Sequence, residues 1–247
     1  MEAEGTSGSA PRTDEFDVRV ARLAALGDPV RRRLYRHVAA QPSPVNRDQA
    51  AALAGVPRHV AKFHLDRLVE DGLLEAEYGR PPGRGGPGAG RPAKLYRRSS
   101  RELVVSLPER HYELVGRLLA RAVTDAQREE VPVGQALGRA AHEAGHALGE
   151  EARRLAGARP SRSALSASAV AVLNQCGYEP RTDGDDVTLV NCPFDALAQD
   201  YRDLVCGMNL ELLDGLVDGL GRTDLEAKLE PVPGRCCVRL RRATPKP

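Results

Sequence analysis

The sequence lacks any apolar run of membrane-spanning length, and its opening MEAEGTSGSAP lacks the basic start and apolar centre of a secretory signal. Those absences predict a cytoplasmic chain with no membrane partner. No repeat of solenoid period is present. None of the five cysteines stands in a C-x2-C knuckle, so a local structural zinc ribbon is not expected. In a reducing compartment, thiols point to metal binding, redox chemistry or burial rather than to structural disulfides. A large net charge is missing too, since 36 Lys and Arg against 34 Asp and Glu leave only +2. With 247 residues, 41% hydrophobic and 28% charged, the chain has the size and composition of two compact domains.

The small net charge conceals a division along the chain. Between Val18 and Arg98, 14 Arg and 2 Lys outweigh 7 Asp and Glu, so that segment carries +9 and the remainder −7. A basic first third joined to an acidic remainder is the footprint of a module that neutralises phosphates attached to one that does not.

Residues 1–15 are small, polar and acidic and read as a disordered tail. Phe16, Val20, Leu23 and Leu26 then recur at helical spacing up to Gly27. Asp28 caps a second helix with Pro29 at its first position and Val30, Leu34, Tyr35 and Val38 on one face. Asn46 caps a third helix, Gly55 supplies a tight turn, and a fourth helix runs from about Pro57 to Asp71. Helix, glycine turn, helix is the helix-turn-helix order. After it, apolar ends at Leu73 and at Ala93 to Tyr96 flank the Gly/Pro-rich Arg80 to Gly90, which predicts two strands and a loop, a wing.

Helical patterns return from Glu102 to about Leu155, with apolar stripes narrow enough to suggest pairing across a homodimer. Beyond Pro160, helix, strand, hairpin at Asp183-Gly184-Asp185, strand, helices over Phe194 to Leu220 and two late strands outline a small α+β domain. The expected architecture is α+β: a winged helix-turn-helix at 16–98, a helical dimerisation linker at 99–160 and a cysteine-containing sensor domain at 161–247.

On the fourth helix, Leu65, Leu68, Val69 and Leu73 form the anchoring side. That leaves Arg58, His59, Lys62 and His64 facing outward, with Arg67 a further candidate DNA contact, at the end of a recognition helix that meets base edges and phosphates in the major groove. Three runs carry a resemblance: Leu26-Gly-Asp-Pro-Val-Arg-Arg-Arg-Leu-Tyr, Phe63-His-Leu-Asp-Arg-Leu-Val-Glu-Asp-Gly-Leu-Leu and Gly90-Arg-Pro-Ala-Lys-Leu-Tyr-Arg. They resemble winged-helix repressors related to the ArsR group, particularly the iron–sulfur-sensing SufR regulators. The resemblance implies a dimer on an inverted-repeat, double-stranded operator. Arg91 at the wing tip would enter the minor groove, and Lys94 and Arg97 would lie on phosphates.

His142-Glu-Ala-Gly-His146 satisfies H-E-x-x-H, and Gly149 extends it toward the longer zinc-peptidase form. Ala152 occupies the position of that form's third ligand, and two histidines alone hold a catalytic zinc weakly. The favoured reading is an Ala-rich helix whose Gly145 and Gly149 permit close packing, and no enzyme is expected.

Four cysteine positions fall at separate elements of the last domain, at intervals C-x15-C, C-x13-C and C-x29-C, from Cys176 through Cys192 and Cys206 to Cys236, with Cys237 adjacent. Spacing alone leaves buried free thiols as the plainer reading. Cys192 stands just before a helix start, where a thiolate is stabilised, and strand alternation turns Cys236 inward with Val238 and Leu240. The SufR resemblance implies a 4Fe–4S cluster on Cys192, Cys206 and Cys236, with Cys237 as a substitute for the last, controlling genes of cluster assembly. The alternative is a regulator of the same architecture that responds to zinc, thiol oxidation or an organic effector. A zinc peptidase built on His142 and His146 is a distant third.

Overall fold

The computed structural model describes residues 15–79, 92–184, 186–221 and 223–242. The chain divides into two compact units, Met1–Val105 and Ser106–Pro247.

The first unit opens with α1 (Glu15–Ala25) and α2 (Pro29–Ala39). The Asp28 carboxylate accepts from the Val30 and Arg31 amides at 2.8 and 2.9 Å, satisfying two orphan donors of the first turn of α2. β1 (Val45–Asn46) leads directly into α3 (Arg47–Ala54). Asn46 and Gln49 close a reciprocal capping box, each side chain accepting from the other's backbone amide at 2.9 Å. Gly55, left-handed at φ 62°, turns the chain into α4 (Arg58–Glu70). β2 (Leu74–Gly79) and β3 (Ala93–Arg98) pair antiparallel from Leu74 opposite Arg98 to Gly79 opposite Ala93, and β1 pairs with the other edge of β3. Leu34, Val38, Leu65, Leu68 and Tyr96 bury themselves where the helices meet this sheet. The sequence did not disclose β1, because a two-residue strand is too short to show a period.

The second unit comprises α5 (Tyr112–Glu129), α6 (Val133–Ala156), α7 (Arg162–Gln175), β4 (Pro180–Asp183), β5 (Asp186–Leu189), α8 (Asp195–Asp200), α9 (Arg202–Leu220), β6 (Leu225–Leu229) and β7 (Val238–Arg242). Its antiparallel sheet runs β4-β5-β7-β6. α6 and α9 lie backbone against backbone. A Cβ on Gly145 would fall on the Leu212 carbonyl, and one on Gly215 would fall on the His142 carbonyl. Gly149 and Gly219 repeat the arrangement one turn on.

Three expectations change here. The structure divides at 105/106, and α5 and α6 share one core with α7, α9 and the sheet, so they are not a linker separate from residues 161–247. The narrow stripes that suggested a second chain are covered in part within this one: Val115, Leu118 and Ala122 of α5 and Leu137, Ala140 and Ala141 of α6 pack into the same core as Leu173, Leu212 and Leu216, while Tyr112 and Val123 stay exposed. The helix expected from Glu102 begins only at Tyr112. Pro108 explains the delay, since it removes an amide donor and disfavours helical geometry at Leu107.

Candidate nucleic-acid interface and cysteine site

α4 buries Ala61, His64, Leu65 and Leu68 and exposes Arg58, His59, Lys62, Phe63 and Arg67. His64 therefore departs from its expected outward position. It lies on the core side of the helix, 9% exposed, where its Nδ1 accepts from Arg31 Nε at 3.5 Å. Three residues from Ala61 and four from Leu68, it follows the apolar stripe rather than the polar face. Arg58 stands in the first turn, 2.6 Å from Asp48 of the preceding helix, and Arg67 pairs with Glu70 and Asp71. No side chain caps the start of α4 at Pro57. Its first amides thus keep the positive helix end available to an anion.

In the wing, Lys94 is engaged within its own unit. Its Nζ lies 2.6 Å from Asp66 Oδ1, which also accepts from the buried Tyr96 hydroxyl at 3.0 Å. Burial opposes ionisation of Asp66, but these two hydrogen bonds prevail and hold its carboxyl below the usual range. Arg97 pairs with Glu75 at 2.9 Å. Arg91 lies outside the described residues.

In the second unit, Cys192 follows β5, Cys206 sits on α9, and Cys236 and Cys237 immediately precede β7. Cys192, Cys206 and Cys237 line one cavity of about 290 Å³, together with Asp195, Arg202 and Arg235. Although β7 starts only at Val238, two residues later than expected, Cys236 is 2% exposed and turned inward in phase with Val238 and Leu240, and it accepts from Asn209 Nδ2 at 3.2 Å. Its thiol hydrogen-bonds to the Cys192 sulfur, which holds Cys192 below the ordinary thiol value against the cost of burial. The Phe194 amide and the Arg110 charge act in the same direction. Cys236 is pushed up by that same hydrogen bond and by burial. Cys206 and Cys237 are paired sulfur to sulfur, with Cα atoms 6.4 Å apart. This pairing departs from the expectation of unpaired thiols, and it needs α9 and the approach to β7 to come within bridging distance. Cys176 does not line the cavity, and burial raises its thiol to about 11, with Glu109 adding to the effect.

The loop carrying Cys192 is held from the start of the unit. Arg110 donates to the Cys192 carbonyl at 3.1 Å and to the Asn191 side chain, and Asn191 Nδ2 donates to the Glu109 carbonyl at 3.0 Å.

The histidines of the H-E-x-x-H run do not converge on a shared metal position. His142 Nε2 faces Asp218 at 3.1 Å and Asp214 at 3.8 Å across the helix pair, while His146 faces Glu150 of its own helix. Glu143, the would-be base, pairs with Arg121 of α5. Gly145 and Gly149 serve the close helix packing that the sequence suggested.

Residues 26–77 match a family described as a helix-turn-helix domain. The first unit is a DNA-binding helix-turn-helix. The match covers α2 to β2 of the described elements and supports a DNA-binding role for this unit. A search of curated proteins returns no match. Among solved structures, human N-acetylserotonin methyltransferase in complex with SAM aligns with 68% of the chain at 19% identity and a TM-score of 0.22. The chain covers 58% of that enzyme's length, and a likeness so slight carries no argument. Among the described residues, no helix is long and apolar enough to cross a membrane.

Three residues of the helix-turn-helix and the cysteine site escaped sequence reasoning. Phe63 stands within a motif whose residue types carry no sign of its exposure. Arg110 stands in a segment read as helix. Asn209 alone left a signal, a single amide in the otherwise apolar run of α9, next to Met208 and one turn from Leu212.

Proposed function

We propose that this protein is a transcriptional repressor whose operator affinity is set by an iron–sulfur cluster held by Cys192, Cys206 and one of Cys236 and Cys237. The observation that carries the reading is the single cavity reached by cysteines from three separate elements. Thiolates arriving from several directions suit a body of several iron and sulfur atoms, and Arg202 and Arg235 at the same cavity suit its negative charge. When bound, such a cluster supplies a state that responds to iron supply and to oxidants. The hydrogen bond from Cys236 favours the thiolate form of Cys192, which suits a metal ligand, and Arg110 and Asn191 fix its loop. A dithiol reductant must first supply two electrons and two protons to cleave the Cys206–Cys237 bond into two thiols before either sulfur can serve as a ligand. Since Cys237 lines the cavity and Cys236 lies behind Cys192, the geometry favours Cys237 as third ligand over the Cys236 expected from the sequence.

Arg58, His59, Lys62 and Arg67 would serve the major groove, with Arg91 and Lys94 of the wing as further candidates. A homodimer would place two such helices on an inverted repeat, half-sites about one helical turn apart. We assign no enzymatic activity, and the compartment proposed is the cytoplasm.

Protein isolated anaerobically, or reconstituted with iron and sulfide, is expected to be brown. Cys192→Ser and Cys206→Ser should each bleach it, because a hard hydroxyl replaces a soft thiolate. Cys176→Ser should leave the colour unchanged, and Cys236→Ser against Cys237→Ser identifies the third ligand. A colourless reconstituted protein would overturn the cluster. Iron and acid-labile sulfide that survive in the variant lacking Cys192, Cys206 and Cys237 would overturn this ligand set.

The Cys206–Cys237 pairing favours a second reading, in which thiol oxidation itself is the signal. That reading predicts colourless protein whose DNA affinity changes with a dithiol reductant.

A further inference from the structure

α4 presents one large apolar side chain on an otherwise polar surface. Phe63 is 66% exposed, although the opposite face of the same helix is packed into the core. Its ring lies T-shaped to that of His64, with centroids 5.2 Å apart. A phenyl group left in water forgoes the stabilisation that burial would bring, so the fold does not place it there for its own stability. His59 lies one turn before it and Arg67 one turn after, with Lys62 adjacent, and the two carboxylates of the same surface, Asp66 and Glu70, are paired with Lys94 and Arg67, so the ring is flanked by cations. On a helix lying in a major groove, an apolar side chain flanked by cations has one apolar feature to meet, the 5-methyl group of thymine.

We propose that Phe63 is a specificity-determining residue that selects thymine at one position of each half-site by packing its ring on the thymine methyl. Lys62 and Arg58 supply charge that any sequence would satisfy, whereas Phe63 distinguishes thymine from cytosine and from uracil. The inference rests on the DNA-binding role of α4 and adds which base it reads. The other occupant for an exposed ring, a protein surface, would make the base at that position irrelevant.

The experiment uses the full-length protein and a duplex enriched by it from a randomised pool. Each thymine of one half-site is replaced in turn by uracil, which removes the methyl group alone. At one position the wild type should lose about four-fold in affinity, the worth of one buried methyl. Phe63→Ala should bind the thymine duplex more weakly, show no loss on the uracil duplex and keep the wild-type salt dependence, while Lys62→Ala reduces that dependence and keeps the uracil penalty. An unchanged thermal unfolding midpoint for Phe63→Ala is expected from its exposure. Uracil tolerated everywhere by the wild type, or a penalty that persists in Phe63→Ala, would overturn the assignment while leaving DNA binding intact. Failure to enrich any duplex would overturn both.

Discussion

A buried amide stabilises a fold only when both of its ends are satisfied, and Asn209 satisfies both. It is 1% exposed, accepts from the Tyr178 hydroxyl through Oδ1 and donates to Cys236 through Nδ2. Replacing it by Leu, of similar size, strands the Tyr178 hydroxyl in the core and leaves the Cys236 sulfur without its donor. An unsatisfied buried hydroxyl costs about 1–3 kcal/mol, so chemical denaturation of Asn209→Leu should show a loss in that range. An equal stability would mean that the polar chain from Tyr178 to Cys236 contributes nothing.

The same scale shows where sequence reasoning reaches its limit. His64 and Lys62 are both polar residues of α4, yet one belongs to the core and the other to the surface. The apolar positions Leu65 and Leu68 fix the centre of the buried stripe but not its width, and His64 falls at the edge, where Arg31 satisfies it. Lys94 shows a different limit. Its charge was legible, but its pairing with Asp66, 28 residues earlier, exists only once β3 lies against α4. The inward turn of Cys236 was legible because strand alternation is local. The approach of Cys237 to Cys206 was not, because it depends on how α9 meets the sheet.

Among elements, the pairing of α6 with α9 dominates the second unit, and glycine is what permits it. Gly145, Gly149, Gly215 and Gly219 remove side chains where the two backbones touch, so each helix gives up propensity along its length for closer approach. Gly145→Ala would drive a methyl into the Leu212 carbonyl and should destabilise the unit by about 1–3 kcal/mol or more. Gly116 of α5 has open space around it, and Gly116→Ala should stabilise by about 0.5–1 kcal/mol through helix propensity alone. Thermal unfolding midpoints that move in the same direction for both variants would contradict this account of the helix pair. The positions of Gly145 and Gly149 were readable as packing glycines, but their partners on α9 were not, since 70 residues separate Gly145 from Gly215. Helices with caps were the most legible elements: Asp28 and Asn46 announce α2 and α3, and the structure satisfies both caps as the residue types require. The start of α5 was misplaced because apolar spacing outweighed Pro108 in the reading.

On the scale of the whole molecule, charge and chemistry divide in the same way. The basic first unit has the helix-turn-helix, and the second carries all five cysteines. The proposed function links those two capacities, so that occupancy at Cys192, Cys206 and Cys237 would change how tightly α4 holds DNA. The link is a coupling free energy, about 1–3 kcal/mol between sites that communicate, or roughly 5- to 150-fold in affinity. The most direct test is the equilibrium affinity of the full-length protein for its selected duplex, measured anaerobically at one salt concentration. Reconstituted protein, the same sample after chelation of its iron, and Cys192→Ser are compared side by side. The account predicts that chelation changes the affinity within that range and that Cys192→Ser matches the chelated protein before and after treatment. Equal affinity for the brown and the chelated protein would contradict it.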